Sequence, residues 1–300
     1  MRAIHGRDAR ATLVSMSDNG LKPGISSILI PTDGSLYSDV AVECGAWLAS
    51  RLSAQVTALY VIDARRLAGH LIKHFSEVLG DNEPAGIIDR IREYYRRHGE
   101  QTLGRATAIC ERRGVLCQTQ LETGNVVKII VDASAGADLL VMGQRGEGEE
   151  HETGFLGSVA ERVVRSVAGP VLLTRLLFQE FRRALLAYDG SLAAWRAMHM
   201  LARLATALRM EVDAVQIVEE DEPTTALKEV ITYFDGFPVK VSTHYLVSDS
   251  HAVIIDHAKE KNCDLLAMGA YDNRLADSLA LGTTTEYLMR NSPVPVLVHH

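Results

Sequence analysis

"MGQRGEGEEHETGFLGS" spans Met142 to Ser158 and follows directly on the apolar run "ADLLV". Five glycines, Gly143, Gly146, Gly148, Gly154 and Gly157, stand behind what reads as a strand, and "SVAERVVRSV" then carries helical periodicity. Glycines in such a place let the chain turn with positive φ or let a ligand approach the backbone closely. A helix that begins at the same spot aims its N–H groups at it and favours an anion. The pattern poses one question: whether that anion is a nucleotide phosphate.

The rest of the chain supplies the frame. "SSILIPTDGSLYSDVAVECGAWLASRL" from Ser26 resembles "RRALLAYDGSLAAWRAMHMLARLATAL" from Arg182, each a short apolar strand, an Asp-Gly-Ser and a long helix. "ADLLVMGQRG" from Ala137 resembles "CDLLAMGAYD" from Cys263. Asp33 and Asp189 are 156 residues apart, Gly143 and Gly269 are 126, and Pro170 and Pro295 are 125. Two tandem copies of one domain account for these offsets, with about 30 residues fewer between the second and third strands of the second copy. The expected layout is a tail over 1–25, a first domain over 26–176 and a shorter second domain over 181–300.

In the first copy the pattern predicts strands near 27–32, 55–62, 115–121, 138–142 and 171–175. Helices are expected near 35–52, 125–135 and 157–168, with two more in the charged stretch between the second and third strands and one in the second copy's counterpart. The strands "SILIPT", "QVTALYVI", "DLLVMG" and "VLLTR" are continuously apolar, as in parallel sheets covered on both faces. Their alternation with helices predicts an α/β fold of two tandem doubly wound domains, each a mostly parallel five-stranded sheet flanked by helices. The last strands, "GPVLLTR" and "VPVLVHH", are apolar edges that invite pairing, so the two copies are expected to associate through them.

Composition narrows the classes. With 47% hydrophobic and 23% charged residues and a net charge of −7, the chain carries no basic face for nucleic acid or an anionic membrane. No apolar stretch reaches the roughly 20 residues that cross a bilayer. The N-terminus has no apolar h-region of a signal peptide, so a cytoplasmic location is expected. Cys44, Cys110, Cys117 and Cys263 lack paired-ligand spacing and predict neither a disulfide framework nor a zinc knuckle. His70 and His74, four apart, have no third ligand following them. Trp47 and Trp195, in the first helix of each copy, read as core residues.

The glycine loop is neither of the common phosphate motifs. No Gly-Lys-Ser/Thr occurs, and the spacing Gly143, Gly146, Gly157, Ser158 follows the fourth strand and differs from the dinucleotide fingerprint. The physics is shared all the same: backbone N–H groups face a phosphate, glycines admit it, and Ser158 caps the helix. A plain turn would also use glycines. Asp33 at the end of the first strand shifts the balance toward binding, because in open α/β sheets ligands sit beyond the carboxyl ends of the strands.

These residues resemble the universal stress protein family over roughly 26–300. The family pattern is G-x2-G-x9-G-[ST] after the fourth strand with an Asp ending the first, and "ILIPTDGS", "LLVMG", "GSVAERVV" and "PVLL" match its flanks. The resemblance implies an adenine nucleotide alpha hydrolase-like fold and, as in nucleotide-binding members, ATP with or without Mg²⁺. Pro31, Thr32 and Asp33 would then flank the adenosine, Val61 and Met142 the adenine. Gly143, Arg145, Gly146, Gly157, Ser158 and Val159 would wrap the phosphates. It further implies a regulatory protein with at most slow ATP hydrolysis, self-association and a regulatory protein partner.

Two departures qualify this. The first copy has ten residues before its last glycine, among them Glu147, Glu149, Glu150 and Glu152. The second copy reads Gly269, Asp272, Gly282, Thr283, with an anion in place of the middle glycine, Tyr271 in place of Arg145, and Tyr188 in place of Thr32. Nucleotide is therefore expected mainly in the first copy. The alternative is a scaffold that keeps the fold and binds another small ligand or a partner; a hydrolase of another α/β family lacks a nucleophile motif.

Overall fold

A computed structural model of the chain describes residues 24–67, 84–147, 156–218, 225–270 and 283–300. The first half runs β1 (Ser27–Pro31), α1 (Leu36–Leu52), β2 (Gln55–Asp63), α2 (Ala64–Leu67), α3 (Pro84–Arg112), β3 (Cys117–Gly124), α4 (Val126–Ser134), β4 (Leu139–Gly143), α5 (Ser158–Ser166) and β5 (Val171–Thr174). The second runs β6 (Arg183–Ala187), α6 (Leu192–Leu208), β7 (Glu211–Val218), α7 (Ala226–Phe234), β8 (Val241–Val247), α8 (Ala252–Glu260), β9 (Leu265–Gly269), α9 (Thr283–Asn291) and β10 (Val296–His299). Among the described residues two helices follow β2 and one follows β7; His70 and His74 lie outside the described residues.

All ten strands form one sheet in the order β3-β2-β1-β4-β5-β10-β9-β6-β7-β8. Each half is parallel, and the halves join where β5 and β10 pair antiparallel, Leu172 opposite Leu297. The doubly wound halves are as expected, but their sheets are continuous. Alternate residues of β1 feed opposite cores: Ile28 and Ile30 face α1 and α3, whereas Leu29 faces α4 and α5 with Leu140, Met142 and Val163. Burial on both faces is why the central strands β1, β4 and β5 are apolar along their length, whereas the edge strands β3 (CQTQLETG) and β8 (VSTHYLV) carry polar, exposed residues.

The Asp-Gly-Ser repeat has a local cause in both halves. Asp33 Oδ1 accepts from the Ser35 N–H at 3.0 Å, and Ser35 Oγ caps α1 by accepting from Ser38 N–H at 3.2 Å. Asp189 and Ser191 repeat these contacts at 2.9 and 3.0 Å at the start of α6. The intervening Gly34 has φ +86°, a conformation that suits only glycine well. This turn and cap fix where the long helix starts.

The two tryptophans part ways. Trp47, late in α1, is 3% exposed and packs against Phe178 and Phe181 of the interdomain connection, ring centroids 5.5 and 5.3 Å away. Trp195, in the first turn of α6, is 42% exposed and lies against His199, which corrects its reading as core. The two occupy different turns of their helices, so only one is sealed by the connection.

Candidate functional site

The strand order places β1 between β2 and β4, and the chain reverses direction of progress there, the position where open α/β sheets leave a crevice. A cavity of about 310 Å³ opens at that point. From β1 and the turn after it come Pro31, Thr32 and Asp33, and from β2 comes Val61. Met142, Gly143, Arg145 and Gly146 line it from β4 and the loop, Ser158 and Val159 from α5. Ten of the eleven residues singled out in the sequence therefore share one cavity.

Gly157 is the exception, and its hydrogen bonding explains it. It is the N-cap of α5, and its N–H donates to the Gln144 carbonyl at 2.9 Å instead of facing the cavity. Ser158 is the first residue of the helix and not its cap, a correction to the sequence expectation. The N-cap of α5 is a glycine and brings no capping side chain of its own, whereas Ser35, Asn125 and Ser191 cap α1, α4 and α6. The N-terminus of α5 lines the cavity through Ser158 and Val159, with the positive end of its dipole.

Asp33 locks the glycine loop. While Oδ1 holds the cap turn, Oδ2 accepts from the Glu147 N–H at 2.8 Å. Glu147 itself is exposed; Glu149, Glu150 and Glu152 lie outside the described residues. Thr32 Oγ1 donates to Ser38 Oγ at 3.1 Å, and the Gly34 N–H reaches the same oxygen at 3.1 Å. Arg145 sits over the Tyr37 ring at 5.9 Å and donates to its hydroxyl at 3.4 Å.

The structure adds residues the sequence reading missed. Arg162 lines the cavity one turn beyond Ser158, a spacing of four that puts both on one helix face. Asp63, the last residue of β2, and Arg65 of α2 pair at 2.6 Å in the lining, and Tyr95 joins them from α3. Leu59 and Ile130 supply apolar wall. The lining thus combines apolar residues, Pro31, Leu59, Val61, Ile130 and Met142, with the cations Arg65, Arg145 and Arg162, the carboxylates of Asp33, Asp63 and Glu147, and the first residues of α5.

Gln144, also missed, ties this loop to the other half. Fully amide-bonded and 4% exposed, it donates its backbone N–H to Thr174 O at 3.1 Å and its side-chain Nε2 to Met289 O of α9 at 3.1 Å. Its Oε1 accepts from Arg175, whose guanidinium burial pulls down to about 10. Nearby, Arg290 of α9 faces Glu161 of α5 at 3.9 Å.

The sequence profile of the universal stress proteins matches the chain twice, over residues 24–175 and 180–300. The chain belongs to the universal stress protein family. A universal stress protein of Synechocystis sp. is 26% identical over 284 residues, 91% of this chain and 99% of that one. One of Methanocaldococcus jannaschii is 33% identical over 151 residues, 49% of this chain and 81% of that one. The crystal structure of a universal stress protein from Archaeoglobus fulgidus shares the fold with a TM-score of 0.74 at 24% identity, covering 91% of this chain and 97% of that one. In this tandem universal stress protein the two halves differ at the site. Tyr188, at the position of Thr32, is buried and donates its hydroxyl to Glu229 Oε2 at 2.9 Å, and Ala194 stands where Ser38 supplies a hydroxyl. Tyr271, Asp272 and Gly282 lie outside the described residues. Among those described, no helix is long and apolar enough to cross a membrane.

Proposed function

We propose that this universal stress protein is a regulatory protein that binds ATP, or a related adenine nucleotide, in its first domain. The observation that carries this reading is the cavity beside β1, whose lining brings apolar side chains, arginines and a helix N-terminus together. The apolar lining suits a purine face, and a helix N-terminus with a glycine at its N-cap, together with Arg145 and Arg162, suits a polyphosphate. The donor set fits an anionic phosphate chain. Mg²⁺ would arrive on the phosphates, keeping several waters; Asp33, Asp63 and Glu147 are the carboxylates of the lining that could meet it.

Hydrolysis is at most slow in this reading. Asp33 has both oxygens engaged by backbone N–H groups and serves to hold the loop, not to take a proton from water. The consequence of binding runs instead through Gln144, which carries loop position to α9 of the second domain. Mass spectrometry of small molecules released from the denatured protein tests the reading. An adenine nucleotide near one per chain supports it, and a different co-purifying ligand favours the scaffold alternative.

A further inference from the structure

The second domain carries a cluster that the nucleotide reading does not use. Asp213 on β7, His244 on β8 and His257 in the last turn of α8 offer three ligand atoms, all within 4.8 Å of one another. The register explains the meeting. Asp213 lies opposite Ser242, His244 is two residues further along β8 and so on the same face, and α8 crosses that face. Asp213 is 3% and His257 8% exposed, while the His244 side chain is 35% exposed and leaves an entry path.

We propose that Asp213, His244 and His257 form a binding site for a divalent transition-metal ion, with Zn²⁺ the ion it fits best. Two imidazoles and one carboxylate are a common zinc donor set that leaves a position for water. His244 Nε2 and Asp213 Oδ1 are 3.4 Å apart, close to the edge of about 3.3 Å that bonds near 2.0–2.1 Å give in a tetrahedron. The carboxylate is divided suitably: Arg183 faces Oδ2 at 3.7 Å, while Oδ1 faces His244 and also accepts from Ser242 Oγ. A hydrogen bond of that kind is what orients metal-bound carboxylates.

Two observations set the cluster apart from an ordinary buried ion pair. Nε2 of His257 is buried with no hydrogen-bond partner, an uncompensated cost if the ring served packing alone. The fold does not demand the residues either. In the first domain the same register positions hold Thr57 and Gln120, and the sixth residue of α4, matching His257 in α8, is Val131. The same backbone stands there with no ligand.

The test is Zn²⁺ binding to the full chain by calorimetry and by metal content after dialysis, with Co²⁺ absorption as a geometric readout. The wild type should take up one Zn²⁺ at this site. His244→Ala and Asp213→Asn should bind it at least about a hundredfold more weakly, because each removes a direct ligand. His251→Ala, outside the cluster, should bind as the wild type does. Wild-type affinity in His244→Ala would overturn the assignment, since the ion would then sit elsewhere, for example at His299 and His300. Should a variant fail to fold, the wild type decides alone: no stoichiometric Zn²⁺ and no visible Co²⁺ bands would equally overturn it.

Discussion

Gly146 and Asp33 are in contact that leaves no room for a side chain: a Cβ on Gly146 would stand 2.6 Å from Asp33 Oδ2. The same oxygen holds the Glu147 N–H. The middle glycine of the loop is therefore required by the aspartate that ends β1, before any ligand is considered. Gly146→Ala should push the carboxylate off its amide, loosen the loop and weaken ATP binding about tenfold or more, some 1.4 kcal/mol. Paired with Asp33→Ala, which removes the obstructing oxygen, the second substitution should cost far less than its single effect. Affinities around a double-mutant cycle check this, and strict additivity would contradict the contact.

Gln144→Leu removes the amide that joins the loop to α9. It leaves the half-buried Arg175 and the Met289 carbonyl short of a partner, a loss of about 1–3 kcal/mol by the usual cost of such groups. If the second domain senses the ligand through this residue, ATP should slow amide exchange in α9 of the wild type and not of the variant. Equal protection in both would remove Gln144 from the route.

Much of this was legible in the sequence, and what was not has physical reasons. Apolar runs with Asp-Gly-Ser behind them gave both halves, because parallel strands and an Asx turn leave short-range signatures. The loop and Asp33 were placed together on the same grounds. Gln144 escaped notice because its contacts reach Arg175 and Met289, a pairing no local pattern encodes. The resemblance implies a phosphate contact for Gly157, and it carries no information on where that N–H points, which is the Gln144 carbonyl. Trp195 was read as buried because hydrophobicity cannot tell which turn of a helix the connection covers.

The joint between the halves should be stability-critical. Leu172 and Leu297 face each other across β5 and β10 with no exposure. Leu297→Ala should cost about 2–4 kcal/mol, as for other large-to-small changes in a core, seen as a lower urea midpoint. Severing the connection at Leu177, 83% exposed, and isolating the first half would bare the β5 edge. Ultracentrifugation should then show a dimer or larger species, and a well-behaved monomer would contradict it.

Acid should weaken the second half near this joint. Burial first, then the Arg196 and Arg203 guanidiniums and His300, push His299 down to about 4 from its ordinary value near 6.5. A histidine depressed in the folded state contributes stability above its unfolded value, which is lost as pH falls from about 6.5 toward 4. The loss should reach roughly 2 kcal/mol by pH 4.5, and His299→Gln should flatten that part of the profile. Urea unfolding followed from pH 7.5 to 4.5 reads both curves; a wild-type profile flat over that window would contradict the assignment.

The central claim is that the cavity beside Asp33 holds the nucleotide and that the second domain contributes little. Titration calorimetry with ATP and Mg²⁺ on three full-length proteins tests it most directly. The wild type should bind about one ATP per chain, and Asp272→Lys should leave that main site intact. Gly146→Asp should lose the heat, because it sets a carboxylate against Asp33 where phosphate would lie, a like-charge contact of about 1–4 kcal/mol near 4 Å at dielectrics between water and a protein surface. Binding by Gly146→Asp equal to the wild type would contradict the account.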